Sequence, residues 1–119
     1  MNTKSPECWG SDPQARGLRI EVSADHSLLL PFDQFAFAEL TNDGKEQCLR
    51  LVFATHEVTV RGHTLRRLET ATQRMELSFI AKLPSSQRSL IGEGQPVILE
   101  ITVIAVEDAE KEMEADPTR

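Results

Sequence analysis

Apolar and polar residues alternate along two neighbouring stretches in the middle of the chain, and the rhythm changes after a glycine. Residues 47–54 and 57–61 each place every second apolar side chain on one side, as half-buried β-strands do. After Gly62 the apolar residues recur at helical spacing: Leu65, Leu68, Ala71 or Thr72, and Met75. The period moves from two residues to about 3.6, which predicts a strand–strand–helix unit with its helix over residues 64–75. Thr64 is the expected N-cap of this helix.

Other stretches predict further strands on both sides of this unit. Patterns of β type occur at residues 18–22, 77–83 and 97–106, while residues 28–30, closed by Pro31, indicate a short edge strand or a buried loop. Residues 32–40 are compatible with one helical turn, but their alternation favours a strand. Asp43-Gly44 lies between two alternating runs, which is typical of a tight β-hairpin. The sequence predicts an α+β domain, a small and mostly antiparallel sheet of about five to seven strands with one central helix packed on one face.

The two ends of the chain differ in composition from its middle. Residues 1–16 mix Pro, Gly and small polar residues, which predicts a disordered leader. Trp9 in this segment leaves two alternatives open, docking on the domain or on a partner. Residues 107–119 are rich in Glu and Ala but lack an apolar stripe, so a frayed helix or a disordered acidic tail is expected. We therefore predict a single domain over residues 17–106 between two disordered tails.

Charge is distributed unevenly along the 119 residues. The formal net charge is −6, with a balance of −4 over residues 1–43, +4 over residues 44–90 and −6 over residues 91–119. An acidic chain argues against binding to nucleic acid or to anionic membranes, because both depend on cationic surface. With one Trp and no Tyr, the aromatic anchors of tight protein interfaces are also scarce, so a partner surface would have to be aliphatic or electrostatic.

Cysteine usage and hydropathy indicate the cellular compartment. Two cysteines, Cys8 and Cys48, are too few for a disulfide scaffold, and two reduced thiols are the simpler expectation. No apolar run approaches the roughly 18–20 residues needed to span a bilayer, and the N-terminus lacks the apolar core of a signal peptide. These features predict a small soluble protein of the cytoplasm with no membrane partner.

No set of residues stands out as catalytic or metal-binding. His26, His56 and His63 lack the spacing of a tight metal-ligand pair, and no nucleophile elbow surrounds a Ser or Cys. Gly92 and Gly94 belong to a turn cluster, because the Lys-Ser/Thr of a phosphate loop does not follow them. We therefore expect a non-enzymatic protein with no catalytic residue, no metal and no cofactor.

A basic cluster is the strongest candidate for ligand binding. It consists of Arg61, Arg66, Arg67 and Arg74, all at the strand–glycine–helix unit. Guanidinium groups bind carboxylates and phosphates in bidentate fashion, so an acidic partner or a small phosphorylated ligand would fit. RNA fits less well, because no aromatic residues for base stacking lie beside these arginines in the sequence. The alternative interpretation is a solvated helix face balanced by nearby glutamates.

The last predicted strand carries apolar residues on both faces. Val97, Leu99, Ile101 and Val103 are expected to face the core, which leaves Ile98, Thr102 and Ile104 as interface candidates on the other face. An apolar sheet face has to be covered, and a second copy of the chain is the simplest cover. The preferred hypothesis is a protein-interaction or regulatory module that self-associates, as a homodimer, through a sheet face or edge. The alternative is a binding domain for a small anionic, phosphorylated ligand at the arginine cluster.

Overall fold

A computed structural model describes residues 7–106 of the chain. Within this range there are eight β-strands, one α-helix and two short 3-10 helices. The strands are β1 (Trp9–Ser11), β2 (Gly17–Ser23), β3 (His26–Pro31), β4 (Phe35–Asp43), β5 (Glu46–Phe53), β6 (His56–His63), β7 (Leu77–Ala81) and β8 (Val97–Ala105). The helix α1 spans Arg66–Gln73, and the 3-10 helices span Phe32–Gln34 and Ser85–Leu90. The predicted acidic tail, residues 107–119, lies outside the described residues.

The strands form two sheets of four. The order is β1-β7-β2-β3 in the first sheet and β4-β5-β6-β8 in the second. Neighbouring strands are antiparallel, except that β2 and β7 are parallel. The α+β class, with mostly antiparallel strands and one helix in the described range, is confirmed. The prediction of one sheet of about five to seven strands is wrong, because eight strands divide between two sheets.

The chain passes from the first sheet to the second at a corner that the sequence pattern did not indicate. Phe32–Gln34 form a 3-10 turn after Pro31, so the predicted strand over residues 32–40 begins only at Phe35. The buried ring of Phe32 lies 6.3 Å from those of Phe35 and Phe53, measured between centroids. Burial of these three rings fixes the corner, because aromatic side chains bring large apolar area into a core.

The predicted hairpin joins β4 to β5. Asp43 pairs with Glu46, so Gly44 and Lys45 occupy the two-residue turn, and Gly44 has a φ of +68°. Only the glycine of this pair lies in the left-handed region. That combination is typical of a Gly-X turn of type II′, so the turn residues are Gly44-Lys45 and not the Asp43-Gly44 pair that indicated the hairpin.

One hydrophobic core lies between the two sheets and beside α1. Its fully buried side chains include Leu18 and Ile20 of β2, Leu49 and Leu51 of β5, Val58 and Val60 of β6, Leu68 of α1 and Leu77 and Ile80 of β7. The residues that alternate along β2, β5 and β6 are the ones that face inward, as their period of two requires.

The helix begins two residues later than predicted, and Thr64 is not its N-cap. Thr64 has a φ of +59°, Leu65 occupies the N-cap position, and no side chain of the helix's own first turn caps it. Instead, the N–H of Leu65 donates to Oε1 of Gln47 on β5 at 2.6 Å. The side chain of Gln47 therefore satisfies the N–H of the N-cap residue, whereas a Thr64 cap would have accepted from the N–H of Arg66 or Arg67.

The segment before β2 differs from the predicted leader. Trp9–Ser11 pair with β7 as an antiparallel strand, and Cys8 is buried. Trp9 is half-buried and packs against the core, so it docks on the domain. The ordered fold therefore begins before residue 17, while residues 1–6 lie outside the described range.

Candidate functional site

The four predicted arginines lie on two different surfaces. Arg66 and Arg67 of α1, and Arg74 directly after its last residue, line a groove of about 350 Å³ beside β1. Arg61 lies on β6 and lines a different groove. We call the first one the Trp9–α1 groove; its lining includes Trp9, Ser11, Arg66, Arg67, Arg74 and Glu76. The structure thus brings three of the four arginines together and adds Trp9, Ser11 and Glu76, which the sequence had not connected to them.

The arginines of the Trp9–α1 groove are weakly engaged by other side chains. Arg66 Nη1 lies 3.9 Å from Oε1 of Glu69, and the Arg66 side chain is 75% exposed. Arg67 Nη1 donates to Oε1 of Gln95 at 3.1 Å, a neutral partner. Among residues 7–106, no carboxylate lies within 4.0 Å of the guanidinium of Arg67 or Arg74. Two of the three cations therefore keep their charge unneutralised by the described residues.

The groove at Arg61 has mixed charge. Arg61 Nη2 lies 3.5 Å from Oε1 of Glu46, and Lys82, Arg88 and Glu100 line the same groove of about 410 Å³. Acids and bases alternate here at short range, so they offset one another's fields. This surface is a weaker candidate for an anionic ligand than the Trp9–α1 groove.

The last strand departs from the predicted facing of its residues. Ile98 is fully buried, so it is not available as an interface residue, and its prediction was wrong. The cause is a β-bulge: Gly62 pairs with Ile98 and Arg61 with Glu100, which leaves Leu99 as the extra residue. One extra residue reverses the alternation before it and turns Ile98 inward.

The other two interface candidates stay on the exposed face. Thr102 is exposed, and Ile104 is 45% exposed. Their partners across β6 are Thr59 and Glu57, which share the outer face of the second sheet. This part of β8 therefore follows the predicted alternation.

The backbone of β8 presents one row of polar groups away from β6. The N–H of Val106 donates to the carbonyl of Thr55 at 2.9 Å, directly beyond the pair His56–Ala105. Hydrogen-bonded and non-bonded pairs alternate in an antiparallel ladder. The N–H and C=O groups of Thr102 and Ile104 therefore bond to β6, whereas those of Ile101, Val103 and Ala105 point the other way.

No strand of the described residues pairs with that outward row. β8 is the last strand of its sheet, and near its beginning the N–H of Leu83 donates to the carbonyl of Ile98 at 2.9 Å. We call residues 100–105 the free edge of β8. A row of unpaired backbone groups is a ready template for another strand.

The centre of the second sheet's outer face is occupied by its own ion pairs. Arg50 Nε lies 2.6 Å from Oε1 of Glu57, and Arg50 Nη1 lies 3.1 Å from Oε1 of Glu39. Hydrogen bonding to Glu57 is the main cause of the raised pKa of Arg50. The guanidinium carbon also lies 5.4 Å from the centre of the Phe37 ring. Because Arg50 is already engaged on three sides, this part of the face is a poor site for an additional anion.

The two cysteines are unpaired in the described range and differ in surroundings. Burial raises the pKa of the Cys8 thiol, and its Sγ donates to the carbonyl of Pro96 at 3.5 Å. Cys48 is only partly buried. A buried, protonated thiol is a poor nucleophile. Residues 7–106 also hold no group of three or more His, Cys, Asp or Glu side chains placed to bind a metal ion.

Comparison with known proteins assigns no relative. No family model, no curated protein and no solved structure matches this chain. Separately, the helix in the described residues is too short to cross a membrane. The candidate sites therefore have to be judged on their own geometry.

Proposed function

We propose that this chain is a non-enzymatic interaction module that self-associates through the free edge of β8. Two copies would pair their β8 strands antiparallel, so that two four-stranded sheets become one continuous sheet. The single observation that carries this proposal is the outward row of N–H and C=O groups at Ile101, Val103 and Ala105.

The preferred pairing is centred on Val103. Val103 then lies opposite the partner's Val103, and Ile101 lies opposite the partner's Ala105. All of these residues point their backbone groups toward the free edge, so about six backbone hydrogen bonds form. On the outer face Thr102 meets the partner's Ile104, and Glu100 does not meet the partner's Glu100. The pairing therefore places no like charges opposite each other.

The side chains of this edge are suited to being covered. Natural edges are protected by charges, prolines and bulges, but residues 100–105 contain one charge and no proline. Ile101 and Val103 face the core yet remain partly exposed, whereas Val60 and Val58 opposite them on β6 are fully buried. An added strand would remove this remaining apolar area from water.

The strength of such a contact is expected to be moderate. A backbone hydrogen bond contributes about 0.5–1.5 kcal/mol net, so six contribute roughly 3–9 kcal/mol before the cost of association. Loss of translational and rotational freedom consumes a large part of this gain. We therefore expect a dissociation constant on the order of 1–100 µM.

The test is sedimentation velocity of the full chain over a range of concentrations that exceeds about 100 µM. The wild-type chain is expected to change from monomer to dimer. Thr102→Lys places an ammonium group against the partner's Ile104 and is expected to shift the dissociation constant upward by at least about tenfold.

Thr41→Lys is the matched control. Thr41 is an exposed threonine of β4, on the same outer face but at the opposite edge of the sheet, so its substitution is expected to leave the dimer intact. A wild-type chain that stays monomeric throughout, or equal weakening by the two lysines, would contradict the proposal.

A further inference from the structure

We propose that the Trp9–α1 groove binds a nucleotide, with its phosphates held by the arginines of α1 and its planar base resting on Trp9. This site lies on a different part of the molecule from the free edge of β8, and it does not depend on self-association.

The first support is the contrast between two sets of arginines. Arg19, Arg50 and Arg61 lie on strands and each has a carboxylate oxygen within 2.6–3.5 Å. Arg67 and Arg74 have none within 4.0 Å among residues 7–106. An unneutralised guanidinium binds a phosphate through charge-assisted, bidentate hydrogen bonds.

The second support is the arrangement of these arginines on α1. Arg67 lies in the first turn of α1 and Arg74 is its C-cap, seven residues later, so the two positions lie on the same side with about 10 Å between their Cα atoms. Long side chains from both positions can converge on a ligand between them. The hydrogen bond from Arg67 to Gln95 restrains one of the two, which lowers the conformational entropy lost on binding.

The third support is the aromatic wall opposite the helix. Trp9 lines the groove and packs against the core, so its ring is held in place before a ligand arrives. Stacking of a base on an aromatic side chain strengthens binding by about fivefold to a hundredfold. The volume of about 350 Å³ lies at the small end of the range for small-molecule sites.

Glu76 is the acidic residue of this lining, and it opposes an anion. Three guanidinium groups against Glu76 and Glu69, which lies 3.9 Å from Arg66, leave an excess of positive charge at the groove. Removing the carboxylate of Glu76 should therefore strengthen nucleotide binding. This variant is expected to gain affinity, whereas the arginine variants of the groove are expected to lose it.

Trp9 supplies the signal for the test. The chain contains one Trp and no Tyr, so tryptophan fluorescence comes from Trp9, which lines this groove and also a neighbouring groove at Gln95 and Pro96. Substitutions within the Trp9–α1 groove therefore assign the response. The full chain is titrated with ADP and with inorganic pyrophosphate. Both are expected to produce a saturable change in emission, and ADP is expected to bind at least about fivefold more tightly than pyrophosphate, because only ADP carries a base.

Three variants localise the site. Arg74→Gln is expected to weaken ADP binding by about tenfold or more, and Glu76→Gln to strengthen it by a few fold. Arg61→Gln, which removes an arginine outside the groove, is expected to leave ADP binding unchanged. The melting temperature of each variant verifies that it is folded.

Three results would overturn the proposal. These are the absence of a saturable response to ADP, equal affinities for ADP and pyrophosphate, and equal weakening by Arg61→Gln and Arg74→Gln. Thr102→Lys should bind ADP as the wild type does, so failure of this site and failure of self-association are distinguishable.

Discussion

The two outer strands of the second sheet, β4 and β8, have the same length but different surroundings. Each contains nine residues. Beside β4 lies α1, where Ala38 shares a small groove with Thr72 of the helix. On the side of β8 away from β6, no strand of the described part of the chain pairs with residues 100–105. Both strands therefore lack a pairing strand on their outer side in the described residues, and α1 lies near one of them.

The two strands also differ in their content of charged and turn-forming residues. The far end of β4 carries Asn42 and Asp43, and its middle carries Glu39, whereas β8 has one charged residue, Glu100. Charged and turn-forming residues discourage edge pairing, and β-branched residues favour it. β4 is therefore protected by its composition and has a helix nearby, while β8 has one charge and a bulge.

The largest expected effect comes from breaking the bulge that shapes β8. A Cβ at Gly62 would overlap the backbone carbonyl oxygen of Val97. Neither backbone can move without disturbing the pairing of β6 with β8, so Gly62→Ala is expected to lower the free energy of unfolding by at least about 3 kcal/mol. Urea denaturation monitored by circular dichroism measures this loss.

Gly92→Ala is the matched control for that substitution. A Cβ at Gly92 meets its nearest atom, Cγ of Gln95, at 3.7 Å, which is an ordinary contact. Its effect is expected to stay within about 0.5 kcal/mol. Similar losses for the two glycines would show that the close approach at Gly62 does not determine the conformation of β8.

Amide hydrogen exchange distinguishes the outward amides of β8 from those bonded to β6, residue by residue. In the monomeric Thr102→Lys chain, the N–H groups of Ile101, Val103 and Ala105 face solvent, whereas those of Ile104 and Val106 are bonded to β6. We expect the first set to exchange on the order of a hundredfold faster or more, as measured by NMR.

In the wild-type chain above its dissociation constant, the same three amides are expected to become protected, because the partner strand accepts their hydrogen bonds. Protection that is uniform along β8 in the monomer would contradict the assigned register. Protection that does not change with concentration would contradict the proposed edge pairing.

Local patterns in the sequence predicted most of the strands and the helix. The alternation over residues 47–61 and the change of period after Gly62 located β5, β6 and α1 within a few residues. These features are local because the side-chain period of each element is set by its own backbone. The division into two sheets was not predictable in this way, since it depends on packing of Phe32 against Phe53, far apart in the chain.

The candidate sites were predictable only in part, for the same reason. The seven-residue spacing indicated that Arg67 and Arg74 share one side, and both line the Trp9–α1 groove, although Arg74 follows the last residue of α1. The contribution of Trp9 required the pairing of β1 with β7. Strand alternation placed Thr102 and Ile104 outside, yet it failed for Ile98, because a bulge is set by the partner strand at Gly62. Contacts between distant segments leave no periodic signal in a single sequence.

The smallest expected effect concerns two thiols that report on the two sides of the second sheet. Cys48 pairs with Thr41 of β4 and is partly exposed, whereas Cys8 donates to Pro96, directly before β8. In single-cysteine variants at pH 8, the thiol at position 8 is expected to react with a disulfide reagent at least about tenfold more slowly. Burial raises the pKa of the Cys8 thiol, so the folded state favours the protonated form. The resulting contribution to the free energy of unfolding is present below the ordinary thiol pKa of about 8.5. It is lost as the pH rises through the higher pKa of the folded state. Equal reaction rates of Cys8 and Cys48 would mean that the segment before β8 opens as readily as the surface beside β4. The free edge of β8 would then extend to the start of the strand.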